Sequence, residues 1–139
     1  MNDYIKRLVE EWNLHGKIIV AVDFDDTICP WKLTNQQKCD KVIELLKEAR
    51  RVGAYIVIFT ACKQNRYEEI RKYCDSKDLH IDTINQNPID LPYGNQNKIY
   101  ANIFLDDRAG LDQALDTLQE AMYRQRAFIR SQTHLDEIG

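Results

Sequence analysis

Ile18-Ile19-Val20-Ala21-Val22-Asp23-Phe24-Asp25-Asp26-Thr27 is the stretch whose reading decides the fold. Its first five residues are apolar without alternation, and all but Ala21 are β-branched. Alternation would mark a strand with one wet face. A continuous run predicts a strand buried on both faces, as in a parallel sheet. The run then breaks at once into acidic and hydroxyl-bearing residues, so polar chemistry is concentrated at the strand's carboxyl end.

The same alternation of elements extends both ways along the chain. Upstream, Ile5, Leu8, Val9 and Trp12 lie at helical spacing, predicting an amphipathic helix over about residues 3–13, with Gly16 as its stop. Downstream, residues 24–34 read as a loop containing Pro30. Thr34 is expected to cap the next helix, with Gln37 as its reciprocal partner. Val42, Ile43, Leu45, Leu46 and Ala49 form that helix's apolar face, and Gly53 ends it. Tyr55-Ile56-Val57-Ile58-Phe59 is a second buried strand. A helix over about residues 64–77 presents Tyr67, Ile70, Tyr73 and Cys74. Ile81 to Ile84 forms a third strand, a polar loop with Pro88, Pro92 and Gly94 follows, and Ala101 to Leu105 forms a fourth. From Leu111 a closing helix places Ala114, Leu115, Leu118 and Met122 on one stripe. Strand and helix in turn predict an α/β fold: a three-layer, Rossmann-like sandwich around a mainly parallel sheet, with right-handed crossovers. One domain is expected over 1–139, with 1–16 a helical extension and 111–139 the C-terminal helix and tail.

Composition narrows the function classes. A net charge of -3 argues against a protein that wraps nucleic acid by bulk electrostatics, leaving nucleic acid only as a substrate. No apolar run reaches membrane-spanning length, and the charged first 16 residues do not resemble a secretory signal. Cys29, Cys39, Cys62 and Cys74 lack metal-ligand spacing and are expected to be packed, reduced thiols of a cytoplasmic protein.

In an open parallel sheet, ligands bind beyond the carboxyl ends of the strands. There the sequence sets Asp23, Asp25 and Asp26 after the first strand, Thr60 after the second, and Asp106-Asp107-Arg108 after the fourth, with Lys98 shortly before that strand. Carboxylates crowded into one cleft repel each other, and a hard divalent cation relieves the conflict. A carboxylate can attack phosphorus, and a second can pass a proton to the leaving oxygen. A hydroxyl and an ammonium can hold the non-bridging oxygens.

These residues resemble the haloacid dehalogenase superfamily of aspartate-nucleophile phosphatases. The resemblance rests on an apolar strand followed by Asp23-Phe24-Asp25-Asp26-Thr27, a strand ending in Thr60, a lysine at Lys98, and a strand ending in Asp106-Asp107, in family order. Within the superfamily the chain looks like the small, capless, phosphatase-like proteins of bacteria and phages. The resemblance implies a Mg2+-dependent phosphomonoesterase. Asp23 would be nucleophile and metal ligand; Asp25 would be acid/base and bind Mg2+ through its backbone carbonyl. Thr60 and Lys98 would hold phosphate. Asp106 would ligate the metal, and Asp107 would orient its waters or pair with Lys98. Two positions depart from the pattern: Asp26 stands where glycine is frequent, and Ala61-Cys62-Lys63 stands where relatives often place an arginine.

Both places where such proteins insert a cap, Ile28 to Asn35 and Gln86 to Asn97, are too short for a domain. The site is therefore expected to be open, suited to a macromolecular phosphate or closed by a homo-oligomer partner. Trp31 is expected to pack on its own domain, with a partial lid or stacking surface as the alternative. The amides of loop 86–97 are read as substrate contacts or as a solvated loop. Arg108 could bind phosphate or brace Asp107, and Arg124, Arg126 and Arg130 read as a helix end complementing the macrodipole. A catalytically silent binding protein is the main competing reading. A receiver-like signalling module is a weaker one, because receivers place the phosphorylated Asp before the Thr and the Lys last.

Overall fold

A computed structural model describes residues 2–89 and 99–138, with side chains described as far as Thr133. The chain forms α1 (Asp3–His15), β1 (Ile18–Asp23), α2 (Gln36–Arg51), β2 (Ala54–Phe59), a short 3-10 turn (Gln64–Arg66), α3 (Tyr67–Ser76), β3 (Thr83–Ile84), β4 (Ile103–Leu105) and α4 (Leu111–Ile138). The four strands are all parallel, in the order β3-β2-β1-β4, and helices flank the sheet. The α/β expectation therefore holds, and the arrangement is consistent with a Rossmann-like sandwich. Among the described residues no helix is long and apolar enough to cross a membrane.

β1 and β2 pair in register from Ile18↔Ala54 to Asp23↔Phe59. Ile18, Val20 and Val22 join Ile56, Ile58, Ile84 and Leu105 in one core with Leu8, Trp12, Val42, Leu46, Ile70, Leu118 and Met122 from the helices. Ile19, Ala21 and Val57, on the opposite face, are also buried. The continuous apolar runs thus reflect burial on both faces. Gly53 is sterically required. Its φ is +111°, and a Cβ there would lie 2.6 Å from the Gly16 carbonyl oxygen. Beside it, the buried Trp12 indole donates to the Val52 carbonyl at 3.1 Å.

Several boundaries differ from expectation for identifiable reasons. Asn35, not Thr34, caps α2, because its side-chain oxygen accepts from the Lys38 N–H at 2.9 Å. β3 starts at Thr83, not Ile81: the Asp82 carboxylate takes the Ile56 N–H at 2.7 Å, where a strand carbonyl would otherwise pair. The same carboxylate is held by Arg50 at 2.6 Å. β4 starts at Ile103 because the Asn102 side-chain oxygen accepts from the Ile19 N–H at 2.7 Å while the Asn102 backbone N–H donates to the Ile19 carbonyl. Arg124, Arg126 and Arg130 are not a helix end, since α4 runs on to Ile138. Arg124 pairs with Glu120, and Arg126 reaches Glu48.

Candidate active site

The order β3-β2-β1-β4 reverses direction between β1 and β4. The crevice of an open parallel sheet lies at such a reversal. Asp23 ends β1, and Asp106 and Asp107 follow β4, so the topology brings the three together. Their carboxylate oxygens all lie within 4.8 Å of one another, and all three residues are half-buried. Burial pushes the Asp23 carboxyl up to about 7; a hydrogen bond with Asp107 and the charges of Asp106 and Asp107 add to the rise. The donor set is all oxygen, which fits a hard cation such as Mg2+. Asp106 is further fixed by accepting the Arg108 N–H at 2.9 Å, while the Arg108 side chain is exposed.

Local geometry after β1 separates the roles of neighbouring acids. The Phe24 carbonyl accepts from the N–H groups of Ile28 and Cys29, each at 3.1 Å, folding the chain into a tight loop. Asp26 sits at φ +60°, the left-handed conformation that explains why a glycine would also suit the position. Its carboxylate is buried and accepts from the N–H groups of Trp31, Lys32 and Leu33 at 2.9, 2.9 and 3.1 Å. Burial works to raise its pKa, but the N–H groups of Leu33, Lys32, Trp31 and Thr34 outweigh it and hold the carboxyl below its ordinary range. Asp26 is therefore a loop brace. The Asp25 carboxylate stands apart from the three clustered acids and faces Arg66.

Two positioning residues were not assigned a role from sequence. Thr27 is buried; its hydroxyl accepts the Asp107 N–H at 3.2 Å and donates to the Asp107 carboxylate at 3.4 Å, tying the β1 loop to the β4 loop. Asn85, at φ +54°, accepts the Thr60 N–H and donates to the Thr60 carbonyl, both at 2.8 Å, and donates to the Tyr67 hydroxyl at 2.7 Å. The signal for Thr27 lay in its motif. For Asn85 it lay only in an Asn directly after a strand. Thr60 is thus held rigidly at the end of β2, and its hydroxyl accepts the Cys62 N–H at 3.3 Å. Lys98 and residues 90–97 of the polar loop lie outside the described residues.

Trp31 does not pack into its own domain: it is 61% exposed, with the Lys32 ammonium 4.2 Å from its ring centre. The four cysteines are free thiols, Cys39 and Cys74 buried, Cys29 and Cys62 half-buried. Burial pushes Cys39 up to about 11 and Cys74 up to about 12, which leaves them protonated and unreactive. A groove of about 1450 Å³ between α2 and α4 meets the site at Thr27 and Asp107.

No protein-family model matches the chain, and no curated protein matches it. A solved structure is similar: that of a conserved protein coded by a locus of Bacteroides thetaiotaomicron, with a TM-score of 0.62 over 78% of this chain and 92% of that one, at 21% identity. At that identity the likeness establishes the shared parallel-sheet α/β fold and nothing about chemistry.

Proposed function

We propose that the chain is a Mg2+-dependent phosphomonoesterase of the haloacid dehalogenase type, working through an aspartyl-phosphate on Asp23. The observation that supports this best is the convergence of Asp23, Asp106 and Asp107 within 4.8 Å at the sheet's reversal point. In this reading Asp23, Asp106, Asp107 and the Asp25 backbone carbonyl would hold the cation, which would supply positive charge against the clustered carboxylates and the phosphoryl oxygens. Asp23 attacks phosphorus, forming the carboxylate–phosphorus bond as the bond to the leaving oxygen breaks. Asp25 protonates that oxygen, then takes a proton from the water that attacks phosphorus and frees Asp23. Thr60, fixed by Asn85, and Lys98 bind the non-bridging oxygens. The raised Asp23 pKa belongs to the metal-free site. A nucleophile must be ionised at working pH, which is the service a cation would perform.

The test is hydrolysis of an aryl phosphate with Mg2+, with and without EDTA. Mg2+-dependent turnover that Asp23→Asn abolishes supports the reading. Full activity in Asp23→Asn contradicts it. Should the folded protein fail to turn over any phosphomonoester in a panel of nucleotides, sugar phosphates and phosphorylated oligonucleotides, the silent-binder reading takes its place.

A further inference from the structure

A phosphate dianion needs cations beyond a single metal, and the clustered carboxylates supply the wrong sign. The residues after Thr60 are Ala61-Cys62-Lys63, with no arginine among them. The structure supplies one from further along. The 3-10 turn Gln64–Arg66, closed by the Arg66 N–H on the Lys63 carbonyl at 3.0 Å, doubles the chain back towards the site. Arg66 Nη1 then lies 3.9 Å from Asp25 Oδ2. Among the described residues this is the one ion pair made with Asp23, Asp25, Asp106 or Asp107. It is a loose contact, too long for a hydrogen bond. Among the described residues the other ion pair of Arg66 is with Glu69, at 3.5 Å, and that side chain is mostly in water. The Arg66 side chain is itself 42% exposed.

We propose that Arg66 is a phosphate-binding residue, leaving its loose contact with Asp25 to make a forked pair of hydrogen bonds to non-bridging oxygens of the substrate's phosphoryl group. This rests on the phosphatase reading above. Guanidinium geometry matches a phosphoryl group bidentately, which an ammonium cannot reproduce. Because Asp25 is the proposed acid/base, an arginine already beside it stands next to the leaving oxygen. A purely structural Arg66 would only brace the first turn of α3 through Glu69.

Steady-state kinetics on an aryl phosphate, with inorganic phosphate as competing ligand, separate these roles. Arg66→Ala is expected to raise KM and weaken phosphate inhibition by about tenfold or more, with a smaller fall in kcat. Arg66→Lys should recover part of the loss. Added guanidinium should partly rescue Arg66→Ala. Glu69→Gln, which removes the brace alone, should keep wild-type KM. Equal KM and phosphate inhibition in wild type, Arg66→Ala and Arg66→Lys would overturn the assignment while leaving the phosphatase reading intact. A wild-type protein that neither turns over the ester nor binds phosphate in calorimetry with Mg2+ would overturn both.

Discussion

The two ends of β1 are built on opposite principles. At the amino end the polar side chains are paired: Asn102 closes on Ile19 and reaches Glu11, Asp82 closes on Ile56 and Arg50, and Trp12 finds the Val52 carbonyl beside Gly53. At the carboxyl end three half-buried carboxylates face each other within 4.8 Å. The first arrangement satisfies each desolvated group, as folding requires. The second keeps like charges together, which folding alone disfavours and which a cation would reverse. The difference separates the residues that hold the sheet from those that would use it.

Substitutions should break this contrast in distinct ways. The largest effect is expected from Asp23→Asn, with loss of turnover of at least about 10³-fold measured on an aryl phosphate. The same variant should melt no lower than wild type in EDTA, because it removes a like charge. At the amino end, Gly53→Ala should cost about 3 kcal/mol in denaturant unfolding, since backbone at 2.6 Å cannot move aside and φ is positive. Asn102→Ala, which orphans the Ile19 N–H, should cost about 1–3 kcal/mol by the same measurement.

Asp23 binds its proton more tightly folded than unfolded, its pKa rising from 3.8 to about 7. Its contribution to stability is therefore complete below 3.8 and is lost as pH rises through about 7. Metal-free protein should lose melting temperature across that window, Mg2+ should restore it, and Asp23→Asn should flatten the slope. The smallest effect belongs to Trp31→Ala: the side chain is exposed and the N–H held by Asp26 is kept, so unfolding free energy should change by no more than about 0.5 kcal/mol.

Much of the fold was legible because buried parallel strands write themselves as unbroken apolar runs: Ile18 to Val22 and Tyr55 to Phe59 sit where their composition places them. The edge strands were overextended because the first pairings are mixed: the Asp82 and Asn102 backbone N–H groups donate to the Ile56 and Ile19 carbonyls, while their side chains take the returning N–H groups. Nothing in residues 81–82 or 101–102 signals that an Asp or an Asn will stand in for a carbonyl. The candidate site was legible wherever an acid directly followed a strand, since the sheet itself sets those residues side by side. Arg66, Thr27 and Asn85 were not legible as partners of Asp25, Asp107 and Thr60, because each contact depends on how a loop folds back. Trp31 was misplaced for the same reason: the Asp26 cradle fixes the loop's backbone and turns the indole outward.

The proposed role of Asp23 is that of the nucleophile that takes the phosphoryl group. It is tested most directly by mixing the Asp25→Asn protein with an aryl phosphate and Mg2+, quenching in acid, and locating any phosphoryl group by mass spectrometry. One phosphoryl group is expected on Asp23, accumulating because release is impaired, and none in the Asp23→Asn, Asp25→Asn double variant. A phosphoryl group on another residue, or undiminished turnover by Asp23→Asn, would contradict it.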